Sequence, residues 1–347
     1  MARATLSWIF SLNLLAAALL PSPPARADLM TEAEAEEIVA SLQGDGGKAA
    51  LVAFDSAPFP YRGMVPSEDP DQDDMPFLDA KDGDRRGHTS PRGGIYWEDQ
   101  TYSDPRSLLY IPPGFDRKKP AAIVVFLHGN LAMLGRDVVE RQAVPRQLNE
   151  SNLNAVLVAP QLAIDALDSS AGGFWQPGGF ARYLKEADQK LAKLDRAQPQ
   201  DFAKMPVILI AYSGGYLPAA YAMQVGGAGK RLKGVVLLDA VYDEADKFAQ
   251  WIEDHQSSAF FFSAFTASSA EGNGAVQDQL MNQGIQFTND PPRCLKSGSV
   301  VFLDTGEGPE HNDFVSHAWT DEPLRWILDR IPRYPRDPKL DPPDCGK

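Results

Sequence analysis

The run Val207-Ile208-Leu209-Ile210-Ala211 is apolar at every position. A segment apolar on both alternating faces reads as a strand covered on both sides, not one lying half in water. The same pattern recurs at 121–127, 155–159, 234–238, 259–265 and 299–303. Shorter apolar or aromatic stretches at 95–102 and 107–111 complete eight predicted strands. Between them the apolar period lengthens to that of a helix at 138–148, 180–196, 243–254 and 276–283, and again near 323–330. Strands alternating with helices predict a mostly parallel sheet with helices on both faces. Ahead of this array, Thr31-Glu32-Ala33-Glu34 fits a capping box that opens a helix over 31–42. Residues 44–94 read as loop, with an acidic cluster at 68–74 that lacks the glycine and distal glutamate of a calcium-binding EF-hand.

The two ends of the chain differ from the middle. Arg3 precedes an apolar stretch from Leu6 to Leu20, prolines follow, and Ala25-Arg26-Ala27 has the small-x-small form of a cleavage site. Residues 1–27 therefore read as a secretory signal peptide, and the mature chain is expected to be secreted or periplasmic, with no stable membrane anchor. Residues 28–92 are expected to form a helix and loop-rich extension, and 93–347 a catalytic domain with a Pro-rich tail. Cys294 and Cys345 are the two cysteines. In an exported protein such a pair suggests a disulfide, here one that pins the tail, worth on the order of 3–4 kcal/mol in the chain-entropy model.

Charge narrows the partners. Removing residues 1–27 takes away Arg3 and Arg26 and no acids, so the balance of 33 basic and 47 acidic residues moves from −14 to −16. A surface that acidic disfavours nucleic acid, anionic membranes and polyanionic substrates. No His-Glu-x-x-His motif, clustered His/Asp spacing or glycine-rich phosphate loop appears, so neither a metal nor a cofactor is expected.

The chemistry concentrates where the apolar run ends, at Ala211-Tyr212-Ser213-Gly214-Gly215-Tyr216. A serine at a tight strand-to-helix turn is lifted off the sheet edge, and the backbones two residues before and after it come close, so both positions must be small. Ala211 and Gly215 are small. This resembles the nucleophile elbow of the α/β-hydrolase superfamily of serine hydrolases, with alanine in place of the first glycine. The resemblance covers about residues 93–331. It implies an α/β-hydrolase fold with an eight-stranded sheet, and a minimal lid because few residues separate Asp239 from the next helix.

The resemblance also implies a triad in chain order serine, acid, histidine. Ser213 would be the nucleophile and His311, in Glu310-His311-Asn312-Asp313, the base; His317 is its nearest rival. The loop after the seventh strand, where the family most often carries its acid, reads Thr266-Ala267-Ser268-Ser269-Ala270-Glu271 and holds no aspartate. Asp239, at the end of the sixth strand, resembles the variant placement, and a carboxylate ending a buried strand needs a partner. Asp243, Glu271 and Asp304 are the alternatives. His128-Gly129-Asn130 resembles the oxyanion loop: the N–H groups of Gly214 and Asn130, or of Leu131, would form the hole, with His128 organising the loop. The glycine-rich loop at 168–179 lies at the same sheet edge, so Phe174 and Trp175, with Tyr212 and Tyr216 beside the serine, are candidate substrate walls. These readings lead to a serine hydrolase acting through an acyl-enzyme, most simply on a carboxylic ester. An amide or peptide bond, including one in a cell-envelope component, is the alternative within enzymes. A non-catalytic binding protein on the same fold is the alternative outside them.

Overall fold

The computed structural model describes residues 30–44, 46–67, 69–337 and 339. The expected signal peptide, its expected cleavage site and Cys345, and with it the expected disulfide, lie outside the described residues. No helix among the described residues is long and apolar enough to cross a membrane.

Eight strands form one sheet: β1 (Lys48–Ala53), β2 (Arg106–Ile111), β3 (Ala122–Leu127), β4 (Ala155–Pro160), β5 (Val207–Tyr212), β6 (Leu232–Leu238), β7 (Phe260–Phe265) and β8 (Val300–Asp304). Their spatial order is β1-β2-β4-β3-β5-β6-β7-β8. Pairings β1/β2 and β2/β4 are antiparallel and the rest parallel. This is the α/β-hydrolase strand order. The apolar runs became the fully buried strands because both faces are covered. In β5, Val207, Leu209 and Ala211 point into one core, while Ile208, Ile210 and Tyr212 point into the other. The first core is roofed by α3 (Gly179–Asp195), α4 (Tyr216–Gln224), α5 (Ala245–His255) and α6 (Ala270–Asn282). The second is covered by α1 (Glu32–Gly44), α2 (Val144–Glu150) and α7 (Pro323–Leu328), together with a π-helix over Leu134–Arg141.

Two expectations about the elements are corrected. The edge strand β1 comes from the stretch read as loop, and residues 95–97 instead join Ala80–Asp82 and Arg85–Thr89 in a small separate sheet, with Glu98–Thr101 helical. Phe54, Phe59, Tyr61 and Phe77, from the stretch expected to be an extension, belong to the first core. The single helix expected at 138–148 is two pieces, because Ala143 is left-handed (φ 48°) and Pro145 has no N–H with which to carry a helix through. At the N-terminus the capping box forms as read: Thr31 N donates to Glu34 Oε2 at 2.7 Å, and Glu34 N to Thr31 Oγ1 at 3.2 Å. Of the proline-rich tail, Tyr334 and Arg336 pack on the approach to β4, through Asn154 N to Tyr334 O and Arg336 N to Asn152 O.

Candidate active site

Parallel pairing brings the carboxyl ends of β3, β5 and β6 to one edge, with Ala211 opposite Leu127 and Tyr212 opposite Leu238. Strand order reverses between β3 and β5, the position at which open α/β sheets carry their ligand crevice. Ser213 leaves β5 in the left-handed region (φ 51°), which a serine occupies only when its surroundings hold it there. A methyl group on Gly215 would lie 2.5 Å from the carbonyl oxygen of Leu127. That oxygen belongs to the backbone of β3 and cannot step aside. Gly215→Ala is therefore expected to destabilise the protein by about 1–3 kcal/mol, the usual cost of overpacking. Thermal unfolding measures it, and an unchanged midpoint would mean that the turn can open.

His311 bridges the two other residues of the expected triad. Its Nδ1 lies 2.6 Å from Asp239 Oδ2 and its Nε2 lies 2.7 Å from Ser213 Oγ. A carboxylate only accepts, so Nδ1 carries the proton and Nε2 is left to accept from the serine hydroxyl. Asp239 has no exposed surface, and it too is left-handed (φ 45°). Besides the histidine it accepts from Thr266 N at 2.9 Å, from the Thr266 hydroxyl, from Ser268 Oγ at 2.8 Å and from Ser269 Oγ at 2.5 Å. Burial pushes its carboxyl up, but the donors from His311, Ser269, the Thr266 N–H and Ser268 outweigh burial and hold it at about 2. The loop without an aspartate thus supplies a collar of hydroxyls to the aspartate of the neighbouring strand. Asp243, Glu271, Asp304 and His317 do not join this group: Asp243 caps the Glu244 N–H, and His317 pairs with Asp313 at 3.5 Å.

The histidine is held from behind. Tyr212 OH donates to His311 O at 2.8 Å, and the phenol ring stacks on the imidazole at 5.2 Å. Arg141, at the end of the π-helix, donates to Asn312 O at 2.9 Å and is itself paired with Asp137 at 2.9 Å. Tyr242 OH stands 3.2 Å from His311 Nδ1 and 3.1 Å from Ser268 Oγ. Arg141 and Tyr242 carried no sequence signal: an arginine in a helix and a tyrosine in a short loop are ordinary. The hydroxyl run Thr266-Ala267-Ser268-Ser269 was visible as a departure from the family pattern.

Across the serine, His128 is buried, and burial pulls its imidazole down to about 4, leaving it neutral. Its Nε2 accepts from Leu162 N at 2.9 Å, so Nδ1 donates to Gly129 O at 2.8 Å and fixes the turn. Leu131 N is used by Ala166 O at 2.9 Å, whereas among the described residues no backbone carbonyl takes Asn130 N. Gly214 N sits in the first turn of the helical segment after β5, where N–H groups have no partner within the helix. The Asn130 side chain lies against Gly214 and accepts from Ser169 Oγ at 3.2 Å.

The expected substrate walls are in part overturned. Phe174 is fully buried between Phe180 and Tyr183. Trp175 is 5% exposed and packs on Tyr61, Phe77 and Tyr221. The cause is residues 54–61. Gly173 N donates to Pro58 O at 2.8 Å, and a methyl group on Gly172 would fall 2.2 Å from that same oxygen. The glycines admit this backbone, which closes over the two aromatics. Burying a phenylalanine stabilises by roughly 1.5–3 kcal/mol, which favours the core over the rim. Tyr212 backs the histidine and does not face the opening. Tyr216 is nearly buried, with its ring 6.0 Å from that of Tyr242. Two large apolar side chains that are not among the expected walls, Leu131 and Leu167, are 48% and 41% exposed at the same edge.

No family model matches this chain, and no curated protein matches it either. Among solved structures it is similar to the feruloyl esterase module from Clostridium thermocellum, with 13% identity over 81% of this chain and 91% of that one and a TM-score of 0.45. It is also similar to an S-formylglutathione hydrolase from Agrobacterium tumefaciens, with 15% identity over 73% and 98% and a TM-score of 0.42. A third is FphF, a fluorophosphonate-binding serine hydrolase of Staphylococcus aureus, with 14% identity over 66% and 91% and a TM-score of 0.39.

Proposed function

We propose that this chain is a serine hydrolase that cleaves carboxylic esters through Ser213, His311 and Asp239. The observation that carries this reading is the imidazole of His311, hydrogen-bonded on one side to a buried carboxylate and on the other to a hydroxyl at a strained turn. In this mechanism Ser213 Oγ attacks the ester carbonyl carbon as its proton passes to His311 Nε2. The carbonyl oxygen gains the negative charge and accepts hydrogen bonds from the N–H groups of Gly214 and Asn130. The intermediate collapses, the C–O bond to the alcohol breaks, and Nε2 returns its proton to the leaving oxygen. Water then repeats the sequence on the acyl-enzyme and releases the acid. Asp239 stays ionised throughout and stabilises the imidazolium.

Export from the cytoplasm is part of the same reading. It is supported by the leader-like residues 1–27 and by the cysteine pair.

The test pairs turnover with labelling. The mature protein is expected to hydrolyse p-nitrophenyl acetate and butyrate faster than the matched anilides. A fluorophosphonate is expected to leave one adduct, on the peptide containing Ser213. No turnover together with no adduct would sink the hydrolase reading and favour a binding protein on this fold.

A further inference from the structure

The turn at 90–94 stands over the candidate active site. Ser90 Oγ donates to Leu167 O at 2.7 Å, while Arg92 N donates back to Ser90 Oγ at 3.2 Å. Gly93 N and Ser90 N close the turn on Ser90 O and Gly94 O. Leu167 lies two residues before Ser169, which contacts Asn130 beside Gly214. On the other side, the Arg92 guanidinium sits 5.4 Å from the centre of the Tyr242 ring, and the Tyr242 hydroxyl is 3.2 Å from His311. Burial and the Asp243 carboxylate push the Tyr216 hydroxyl up to about 12, while the adjacent Arg92 pulls it the other way. Arg92 therefore reaches the serine side and the histidine side of the site from one fixed turn.

Its charge is unlike that of its neighbours. Arg136 is neutralised by Asp137 and Asp165, and Arg141 by Asp137. Arg92 is exposed, and no described carboxylate forms an ion pair with it. In a chain of net charge −14, an unpaired guanidinium at the active-site rim is an electrostatic exception. A guanidinium offers planar, paired donors that match a carboxylate or phosphate edge, and the tyrosine ring under it keeps it in place without cancelling its charge.

We infer that Arg92 is a specificity residue and that the preferred substrate is an ester carrying a single anionic group, a carboxylate or a phosphate, within reach of that guanidinium. This rests on the hydrolase reading. A single anionic group per molecule also agrees with a surface too acidic to gather polyanions.

Two matched substrate pairs test it, with Ser213→Ala supplying the background rate. Mono-p-nitrophenyl succinate against p-nitrophenyl butyrate places the carboxylate on the acyl side. 4-Acetoxybenzoate against its methyl ester places it on the alcohol side. In at least one pair, Arg92→Gln is expected to lower the anionic-to-neutral ratio of kcat/KM by tenfold or more, chiefly through KM. Arg92→Lys is expected to restore part of that ratio, and added salt to lower it in the wild type. The pair that responds identifies the side of the ester that bears the charge. Neutral esters turned over by the wild type with no charge-selective loss in either pair would overturn the inference alone. Absence of turnover of all four substrates would overturn this inference, and together with no fluorophosphonate adduct it would overturn the hydrolase reading as well.

Discussion

Ser213→Ala is expected to reduce ester hydrolysis by roughly 10⁴-fold or more, with KM little changed. In the proposed mechanism this hydroxyl forms the acyl bond, and it stands 2.7 Å from the imidazole nitrogen that would take its proton. What remains after its removal is the polarisation of the carbonyl by the loop N–H groups, which needs no serine. The variant keeps its small side chain at a left-handed position, so its thermal midpoint is expected to stay close to that of the wild type. Steady-state rates with p-nitrophenyl butyrate, read beside that midpoint, separate loss of chemistry from loss of fold. A variant that is folded and retains a tenth of the wild-type rate would rule out Ser213 as nucleophile.

Asp239→Asn is expected to cost roughly 10⁴-fold in kcat at neutral pH, through the position of one proton. Both carboxylate oxygens are occupied by donors, and one of these, the Thr266 backbone N–H, cannot rotate away. An asparagine keeps its single acceptor oxygen toward that N–H and turns its amide N–H₂ toward His311. Nδ1 must then accept, Nε2 carries the proton, and the imidazole can no longer receive one from Ser213. Stability changes along with activity. Because the folded carboxyl is held at about 2, below the 3.8 of a free aspartate, the wild-type group contributes stability that is fully present above pH 3.8 and is lost as pH falls toward 2. That contribution is about 2 kcal/mol. Denaturant midpoints followed from pH 6 to pH 2 should show it in the wild type and not in the variant. Near-full activity for Asp239→Asn would mean that another group orients the histidine.

The strands were legible where burial decides the residue type. The runs in β3, β5 and, apart from Ser263, β7 are apolar on both faces because the sheet is covered on both faces. Asp239 stood out for the complementary reason, as a charge at the end of such a run. The edge strand β1 did not stand out. Its sequence Lys-Ala-Ala-Leu-Val-Ala carries little intrinsic strand preference, several of its positions are only half-buried, and its pairing with β2 bridges residues more than fifty apart. Phe174 and Trp175 illustrate a different limit. An aromatic in a glycine-rich loop can face a substrate or a core, and here residues from far earlier in the chain, Ala57 to Tyr61, cover them. Arg141 and Tyr242 gain meaning only from what lies beside them once the chain has folded.

The hydroxyl collar around Asp239 bears on how such a site can change over generations. Ser268 Oγ, from the loop after β7, lies 2.8 Å from the carboxylate that leaves β6. Two strand ends thus converge on one point in space, and the imidazole needs a carboxylate there without regard to which strand bears it. A lineage could pass through a form with acids at both ends, their mutual repulsion keeping one protonated, and later discard either. In the proposed triad the acid is then a property of that location and not of a position in the chain. Two descendants of one ancestor can carry it on different strands while the serine and the histidine never move.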